Sequence, residues 1–559
     1  MVKRQPLPLR KTPVTSPDEG EDWYAVLRRC EKAVALAPNS AEAHNNLGIA
    51  LSRLKRDDDA VASFGRAIEL RPDFFQAHNR RGNSLQALGC FAEAVKSYSE
   101  AIALKADYAI AYANRGNALQ AMRHYQEAIE SYSRAIELKS DYVDAYNNRG
   151  TAFRRLGNFE AALADFDRSI TLMPGRAELY SNRGNALHEL RRFEDAVENY
   201  DTAISLNPDY PESYSNRGLA LRQLGRVDDA AESFEKAVLL KPDYYDAIWN
   251  KALIDLELGR FDSGWRGYEA RKRTRQPIVN RRFKVSEWLG ETSLSGRRIL
   301  VHWEQGFGDV IQFSRYIKLL SDAGATVLFA PQKELQSLMR RLETDVEIVD
   351  LDKDTLDFDV HCPLLSLPFA FGTDISTIPT GVYLSADPEK VAIWSNRLPQ
   401  RSRPRVGVVW RGNPVPDSRR SIELQHLHQL LDPRIELISL QKEVTDEERA
   451  WLDRVGIIRV EDLIADFSDT AALCMLVDLV ISVDTSVVHL AGALGVPVWV
   501  LLTSVADWRW LVNREDSPWY PAMRLFRQKT RGDWDDVLDR VEREIKGWIS
   551  LRAIRPEAR

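Results

Sequence analysis

Small and aromatic residues recur through the first half of the chain at a fixed interval of 34 residues. Each glycine of the series is followed by an alanine twelve residues later and by a Phe or Tyr sixteen residues later. The series consists of Gly48, Gly82, Gly116, Gly150, Gly184 and Gly218. A repeat of this length is typical of helix pairs that stack into a solenoid, where each pair buries its apolar face only against its neighbours. The pattern therefore predicts an α-solenoid.

Prolines mark the places where the second helix of several repeats has to stop. They are Pro38, Pro72, Pro174, Pro208 and Pro242. In period and in these positions the repeats resemble the tetratricopeptide (TPR) family over about residues 22–270. The resemblance implies a superhelix whose concave surface is lined by the first helix of each pair.

The second half of the chain has a different pattern, in which short β-branched runs alternate with amphipathic segments. The runs fall at 299–303, 325–330, 346–351, 406–410, 435–440, 479–483 and 498–502, and a connecting helix is expected at 388–397. Strands that alternate with helices predict parallel sheets covered by helices. Two such series in tandem predict a cleft between two lobes, with ligands at the carboxyl ends of the strands.

These patterns predict an α-solenoid followed by an α/β region of two Rossmann-like lobes. The expected boundaries are a disordered tail at 1–20, the TPR solenoid at 21–270, a polar linker at 271–297, and lobes at 298–400 and 401–552.

Composition narrows the function classes. The chain of 559 residues carries 76 Lys and Arg against 82 Asp and Glu and has no basic run, which argues against nucleic-acid binding. No stretch approaches the ~20 continuous apolar residues of a membrane span, and the beginning of the chain lacks the apolar segment of a signal peptide. We therefore expect a cytoplasmic protein.

A glycine-rich turn follows the first predicted strand of the second half. It contains Gly306, Gly308 and Asp309, and a helix is expected to begin there. Glycines let backbone N–H groups approach a ligand, whereas an acidic residue at a helix start is also an ordinary cap. The turn resembles one in the bacterial heptosyltransferases, glycosyltransferase family 9. That resemblance implies a two-lobed GT-B enzyme in which Asp309 is the candidate catalytic base.

A second turn, at residues 483–497, joins a very apolar strand to a helix. Free amides and hydroxyls at such a helix start favour a diphosphate. The segment closely resembles the family 9 pattern, and the resemblance implies that Thr485, Ser486 and His489 hold the donor phosphates and that Asp484 contacts the sugar or nucleotide. Ser486 stands where the family usually has glycine. Taken alone, His489 is also compatible with a buried core histidine.

Further donor-binding candidates follow two other predicted strands. They are Arg411 and Asn413 after one strand and Gln441 and Lys442 after the next. A cation aimed at the leaving diphosphate would lower the barrier to transfer. Aromatic residues at 508–510 and 519–520 suit sugars or bases, and they equally suit a loop packed on its own domain. The alternation of Asp350, Asp352 and Asp354 lacks other nearby ligands, so no metal or other cofactor is expected.

Asparagines occupy the position two residues before most of the repeat glycines. They are Asn46, Asn114, Asn148, Asn182, Asn216 and Asn250, while Arg80 breaks the series. Amide side chains can pair with the backbone of an extended peptide whatever its sequence. The row resembles the asparagine ladder of the protein O-GlcNAc transferases, which implies that these residues bind an acceptor peptide. The alternative is a consensus residue that only caps or solvates the helix.

The first hypothesis is thus a glycosyltransferase that moves a sugar from a nucleotide sugar to Ser or Thr of a protein held in the TPR groove. The combination resembles bacterial TPR-containing protein and flagellin O-glycosyltransferases. One alternative is a protein-interaction scaffold with an inactive transferase-like domain. Another is a glycosyltransferase of surface polysaccharide or lipopolysaccharide.

Overall fold

The computed structural model of the chain describes residues 22–274, 281–354, 356–413 and 420–554, and the side chains of 552–554 are not described. The tail expected at 1–20 lies outside these ranges. The chain forms two compact units, Met1–Asp209 and Tyr210–Arg559. Each unit is described by itself below.

In its described residues, 22–209, the first unit is helical, and the helices follow one another at the predicted repeat. They are α1 (Trp23–Leu36), α2 (Ala41–Arg53), α3 (Asp57–Leu70), α4 (Phe75–Ala87), α5 (Phe91–Leu104), α6 (Ala109–Ala121), α7 (Tyr125–Leu138), α8 (Val143–Arg155), α9 (Phe159–Leu172), α10 (Ala177–Glu189) and α11 (Phe193–Leu206). Consecutive helices pack on each other, as in a solenoid. The prolines stop helices as predicted, since α3 ends at Leu70 and Pro72 follows within two residues.

Glycine and the aromatic residue sixteen positions later explain the tight pairing inside each repeat. A Cβ atom added at Gly82 would lie 2.6 Å from a ring carbon of Tyr98. Tyr98 also packs with Ala118 of the next repeat. One aromatic side chain therefore packs between the two helices of its own repeat and also contacts the neighbouring repeat.

The second unit begins with the last helix pairs of the solenoid and continues into the α/β region. Its helices are α12 (Pro211–Gln223), α13 (Val227–Leu240), α14 (Tyr245–Glu257), α15 (Phe261–Tyr268), α16 (Phe307–Phe313), α17 (Ile317–Asp322), α18 (Gln336–Met339), α19 (Leu367–Ala370), α20 (Pro388–Arg397), α21 (Asp446–Val455), α22 (Phe467–Met475), α23 (Ser486–Ala493) and α24 (Trp534–Ile554). The predicted connecting helix at 388–397 is α20. The α-solenoid followed by an α/β region is thus the observed fold.

Two parallel sheets organise the α/β region. The strands are β1 (Arg298–His302), β2 (Thr326–Ala330), β3 (Glu347–Ile348), β4 (Val360–Pro363), β5 (Arg405–Val409), β6 (Glu436–Ser439), β7 (Leu479–Val483), β8 (Val498–Leu502) and β9 (Met523–Arg527). Their spatial orders are β3-β2-β1-β4 and β6-β5-β7-β8-β9. In each sheet the strand order reverses beside the first strand, between β1 and β4 and between β5 and β7. Such switch points form the crevices in which α/β sheets bind ligands.

The last helix pair of the solenoid is part of the core of the second unit. Trp265 on α15 lies edge-on to Trp508, with ring centroids 5.3 Å apart, and to Phe313 at 6.2 Å. Glu257 on α14 accepts a hydrogen bond from the Arg222 Nε at 3.1 Å, and its carbonyl accepts one from the backbone N–H of Val512. These contacts explain why α12 to α15 belong to this unit.

Arg271 and Thr274, at the start of the segment expected to form a linker, are instead buried in the second unit, whereas most of the described residues 281–297 are exposed or half-buried. Arg271, in a 3₁₀ helix at Glu269–Arg273, is fully buried and donates to the Glu304 Oε2 and the Ser366 Oγ, each at 2.8 Å. Glu304 follows β1 and Ser366 follows β4, so one guanidinium bridges the switch point of the first sheet. A buried charge requires such partners. The bonds of Arg271 therefore hold its segment in place, although the polar sequence of the segment is typical of a linker.

Candidate functional site

The turn after β7 lies at the switch point of the second sheet. Asp484 and Thr485 connect β7 to α23, and Thr485 is the residue that precedes the first turn of the helix. Its Oγ1 lies 3.2 Å from the Ser482 Oγ. Gly412, after the neighbouring strand β5, approaches the same turn, since a Cβ added there would lie 3.5 Å from the Asp484 carbonyl oxygen. The segment after β5 and the turn after β7 therefore lie next to each other.

Asp309 lies in the first turn of α16, just beyond the carboxyl end of β1. Its Oδ2 accepts a hydrogen bond from the backbone N–H of Gly306 at 2.9 Å. The carboxylate thus caps the helix, as one of the two interpretations of the sequence held. Its other oxygen, Oδ1, accepts a hydrogen bond from Arg509.

The two predicted turns meet through a close contact between α16 and α23. A Cβ added at Gly308 would lie 3.0 Å from the His489 Cδ2 and 3.6 Å from the Ser486 Cα. Glycine at 308 is therefore what allows the helix that carries Asp309 to approach the beginning of α23. Gly306, by contrast, is exposed.

His489 is buried within this contact, with 5% of its surface exposed. Its ring is stacked on Trp510 with centroids 5.4 Å apart, and its Nδ1 lies 3.1 Å from the Tyr520 hydroxyl. Burial, with Arg509 nearby, lowers the pKa of His489 to about 3. The imidazole is accordingly neutral near pH 7, and any phosphate contact that it makes is a hydrogen bond without charge attraction.

Arg509 bonds to two side chains of α16 and to Asp507, and the sequence patterns did not indicate this residue. Its Nη2 donates to the Asp309 Oδ1, its Nη1 donates to the Asp507 Oδ1 at 2.8 Å, and its Nε donates to the Gln312 Oε1 at 2.6 Å. Each arm of the guanidinium thus has a different partner. The signal that could have found it is an arginine between two aromatics after a buried strand.

Asp309 and Asp507 bond to the Arg509 guanidinium, Asp484 is affected only by its charge, and the three carboxyl groups differ in their ionisation. Burial raises the pKa of Asp309, an effect that Arg509 only partly offsets. Burial and the nearby Asp507 raise the pKa of Asp484 to about 6. Burial opposes ionisation of Asp507 as well, but Arg509 outweighs it and the pKa of Asp507 is lowered. Asp507 is therefore ionised and holds Arg509 in place. The ionisation of the other two carboxyl groups depends on the charges beside them.

The other predicted donor-binding side chains are engaged with groups of the protein. Arg411 donates through Nη2 to the Glu443 carbonyl at 2.8 Å and to the Glu448 Oε2 at 3.1 Å. Its backbone N–H donates to the Gln441 Oε1 at 3.1 Å. Lys442 donates to the backbone carbonyl of Ile464. Asn413 is exposed, and its carbonyl accepts from Arg420.

The aromatic residues expected in a loop belong to the protein core. Trp508, Trp510, Trp519 and Tyr520 are all buried. They pack on the contact between α16 and α23 and on the last helix pair. Of the two interpretations of these aromatics, the structure supports packing within the domain.

The asparagine row connects successive repeats. In the first unit, the Asn114 Nδ2 donates to the Asn79 Oδ1 at 3.2 Å and to the Asn83 Oδ1 at 3.0 Å. Likewise, the Asn148 Nδ2 donates to the Asn117 Oδ1 at 2.9 Å. These amides therefore have a structural role, whatever else they bind.

Arg80 makes the same kind of contact as the asparagines that it replaces. Its Nη1 donates to the Asn45 Oδ1 at 2.9 Å, just as the Asn182 Nδ2 donates to the Asn147 Oδ1 at 2.9 Å. The apparent break in the sequence pattern therefore keeps the inter-repeat bond. Asn46 lies within 3.5 Å of the Asn45 amide, and Asn216 and Asn250 lie on α12 and α14 of the second unit.

Comparison with known families identifies the repeats. Models described as TPR repeat or tetratricopeptide repeat match residues 84–122 and 184–225, residues 113–177, and residues 41–74 and 211–244. These are TPR repeats. They give this protein the architecture of a protein–protein interaction module in its first half.

A curated relative extends the similarity beyond one or two repeats. Protein FlbA of Caulobacter vibrioides is 28% identical over 319 residues, which are 51% of this chain and 52% of FlbA. The chain thus spans about half the length of the relative that it matches.

Several solved structures are similar to part of the chain. YrrB, described as a TPR protein with an unusual peptide-binding site, is 23% identical and covers 34% of this chain and 98% of its own, with a TM-score of 0.30. PilF of Pseudomonas aeruginosa is 20% identical and covers 36% of this chain and 92% of its own, with a TM-score of 0.33. Yeast Tom70 is 18% identical and covers 45% of this chain and 55% of its own, with a TM-score of 0.35.

Two features are absent from residues 22–274, 281–354, 356–413 and 420–554. No helix among them combines the length and apolar character needed to cross a bilayer. Within the same ranges, no group of three or more His, Cys, Asp or Glu side chains is arranged to hold a metal ion.

Proposed function

We propose that this protein is a glycosyltransferase that moves a sugar from a nucleotide-sugar donor to a Ser or Thr hydroxyl of a protein held by its TPR repeats. The observation that carries the proposal is the contact between α16 and α23. Through it, Asp309 after β1 lies beside the Asp484–His489 turn after β7. Two polar turns from two parallel sheets thereby converge, as expected for an α/β ligand site.

In the proposed reaction Asp309 acts as the general base. The acceptor hydroxyl attacks the anomeric carbon, its proton passes to the Asp309 carboxylate, and the bond from that carbon to the phosphate oxygen breaks. The electron pair of the broken bond leaves with the nucleotide. A base works best when its pKa lies near the working pH, and burial raises the pKa of Asp309 in that direction. One displacement of this kind inverts the anomeric centre.

The donor phosphates are assigned to the start of α23. Backbone N–H groups and the positive end of the helix dipole favour an anion there, with the hydroxyl groups of Thr485 and Ser486 beside them. The cation assigned to these phosphates is Arg509. Negative charge grows on the phosphates as the sugar leaves, so a guanidinium at this place lowers the barrier.

The acceptor is assigned to the repeats. Asn46, Asn114, Asn148, Asn182, Asn216 and Asn250 are proposed to bind its backbone in addition to their contacts with neighbouring repeats. Tethering raises the effective concentration of a hydroxyl at the site without new contacts to the reacting atoms. The relative YrrB, described as having an unusual peptide-binding site, is in keeping with such a role.

A second candidate function is a protein-interaction scaffold with an inactive α/β region. The observation that favours it is that groups of the site are already bound within the protein, since His489 is buried and Asp309 is paired with Arg509. Transfer to polysaccharide or lipopolysaccharide is a variant of the first proposal with another acceptor.

The test is a turnover assay with UDP-, GDP-, ADP- and CMP-linked sugars, with and without candidate acceptor proteins. Release of the free nucleotide and labelling of protein are measured for the wild type, for Asp309→Asn and for a matched control, Asp322→Asn. Asp322 is an exposed carboxylate paired with Lys318 on α17. We expect one donor to be consumed by the wild type and the control and to be left intact by Asp309→Asn.

Each outcome separates the candidates. Label in protein supports the proposal, and label confined to added glycan acceptor supports the polysaccharide variant. If no donor reacts although the protein has normal thermal stability, the result supports the scaffold hypothesis. Equal turnover by Asp309→Asn would reject Asp309 as the base.

A further inference from the structure

The three arms of the Arg509 guanidinium are not equivalent. Asp507, two residues away in the chain, accepts from Nη1 and also from the backbone N–H of Arg509 at 3.1 Å. Gln312 on α16 accepts from Nε. These two partners hold the guanidinium plane in place, whereas Nη2 bonds to the Asp309 Oδ1. The Nη2 arm can change partner while the other two arms stay bound.

Three carboxyl groups lie close enough to Arg509 for their charge to act on it or be acted on by it. Asp309, Asp484 and Asp507 all act on the Arg509 cation, and Asp309 keeps 17% and Arg509 9% of its side chain exposed. Charges this poorly hydrated attract each other more strongly than charges at the surface. The guanidinium stabilises the ionised form of Asp309 and so makes it a weaker base than the same buried carboxylate would be without this partner, although burial still keeps its pKa above the ordinary value.

The pair lies beside the start of α23. Gly308, the neighbour of Asp309, touches both Ser486 and His489, and the Arg509 charge acts on Asp484 and on His489. A phosphate placed at the first turn of α23 would therefore come within reach of the same guanidinium. Phosphate and carboxylate oxygens compete for the same type of N–H donor.

We propose that Arg509 is a switch between Asp309 and the donor phosphates. Without donor, its Nη2 arm holds Asp309 and keeps this carboxylate from acting as a base. When donor binds, a phosphate oxygen takes the place of the Asp309 carboxylate at Nη2, and Asp309 is released to the acceptor hydroxyl. The site thus gains its base only when a donor is present. This inference rests on the function proposed above and adds the regulation of the same site.

A switch predicts a competition that a purely structural ion pair does not. If Asp309 and the phosphates compete for Nη2, removing the Asp309 charge will strengthen phosphate binding. If the pair only holds α16 in place, its removal will loosen the site and weaken binding. Competition is a coupling free energy, and couplings of this kind commonly change an affinity by roughly 5- to 150-fold.

The test is the binding of UDP, GDP, ADP and CMP, without any sugar or acceptor, measured by isothermal titration calorimetry on the full chain. The variants are Asp309→Asn, Arg509→Met, the double variant and Asp507→Asn, with Arg524→Met as a matched arginine control. Arg524 pairs with Glu544 on α24. Asn has the shape of Asp, so it can still accept the hydrogen bond from Gly306, and Arg509→Lys keeps the charge if Arg509→Met fails to fold.

We expect Asp309→Asn to bind the preferred nucleotide roughly fivefold or more tightly than the wild type. Arg509→Met should bind it more weakly, and Asp309→Asn should have little effect in the Arg509→Met background. Asp507→Asn should weaken binding because Arg509 loses its anchor.

The results that overturn the switch differ from those that overturn the function. If the wild type binds a nucleotide and Asp309→Asn binds it equally or less tightly, the switch is wrong and the glycosyltransferase proposal stands. If Asp309→Asn tightens binding to the same degree in the Arg509→Met background, the effect is one of general charge and the switch is again wrong. If no protein in the set binds any nucleotide, both proposals fall.

Discussion

A single missing methyl group decides the packing inside each repeat. A Cβ added at Gly116 would lie 2.6 Å from a ring carbon of Tyr132, a distance that real Cβ atoms do not reach. The ring is itself fixed, because the Tyr132 hydroxyl donates to the Asn117 Oδ1 at 2.8 Å. Neither partner can move without breaking a buried contact.

We predict that Gly116→Ala destabilises the first unit by about 1–3 kcal/mol, the usual cost of overpacking. Gly65→Ala is the matched control, since Gly65 also lies in a helix, α3, but nothing lies within 4 Å of its added Cβ. This control should gain up to about 1 kcal/mol from helix propensity. Urea unfolding followed by circular dichroism measures both changes, and equal effects of the two substitutions would contradict the steric argument.

The ionisation of Asp484 gives a pH dependence of stability. Its pKa is raised from 3.8 to about 6 by burial and by Asp507. A carboxyl group with a raised pKa favours folding while it is protonated, so its contribution is present below about pH 4 and is lost as the pH rises through about 6. We predict that Asp484→Asn is more stable than the wild type at pH 7.5, by about 3 kcal/mol. Thermal unfolding should show a small difference at pH 4 and nearly the full difference at pH 6 and 7.5, and a constant difference would contradict the assignment.

At this scale the sequence located both turns of the site but not the residue between them. Asp309 and the residues 484–489 follow strands in recognisable local patterns. Arg509 stands 200 residues away from Asp309 in the chain, and no local pattern indicates a pairing over that separation. The burial of His489 likewise depends on Tyr520 and Trp510, which only the tertiary fold brings together.

The helices of the first unit are connected by a repeated amide contact. The donors are the asparagines two residues before the repeat glycines, and the acceptors lie 31 or 35 residues earlier in the chain, as in the contacts of Asn148 and Asn182. Stacked repeats gain stability from such nearest-neighbour terms, which add along the array. The asparagine row therefore couples the folding of neighbouring repeats, in addition to any role in binding a peptide.

We predict that replacing Asn114, Asn148 and Asn182 together by Ala lowers the stability of the first unit by about 2–4 kcal/mol. Each lost hydrogen bond contributes about 0.5–1.5 kcal/mol. Asn39→Ala, at an exposed turn position, is the control and should change little. Denaturant unfolding with unchanged midpoint for the triple variant would show that these bonds contribute nothing.

The sequence predicted most elements of the α/β region but missed two strands. The runs expected at 479–483 and 498–502 coincide with β7 and β8. The two missed strands are β4 (Val360–Pro363), which contains His, Cys and Pro, and β9 (Met523–Arg527), which contains two arginines. Neither has an apolar β-branched run, and both lie at an edge of their sheet, where prolines and charged side chains are commonly found.

In the whole second unit, one buried ion network makes the solenoid end a part of the α/β core. Arg271 donates to Glu304, Ser366 and Glu269, and Glu304 in turn accepts from the backbone N–H of Leu365 at 3.3 Å. Glu304 keeps only 3% of its surface exposed. The residue lies five positions before Asp309, so the network also holds the turn that carries the candidate base.

We predict that Arg271→Met destabilises the second unit by about 3–5 kcal/mol, because it leaves Glu304 buried without its partner. The double variant Arg271→Met with Glu304→Leu should recover much of this loss, since an apolar pair of similar size needs no charge compensation. Calorimetric unfolding of the full chain compares the two. A double variant less stable than the single one would mean that the network is not acting through its charges.

The same packing limits how proteins of this design can change in length. An interior repeat such as that of Gly116 and Tyr132 contacts only similar neighbours, so a copy of it can be gained or lost in the gene as a complete cassette. The pair α14–α15 is different, because Trp265 on α15 and Glu257 on α14 are already committed to the α/β core. Variation in repeat number should therefore accumulate away from this junction, and protein engineers who want a longer or shorter solenoid should cut among the earlier repeats and leave the last pair untouched.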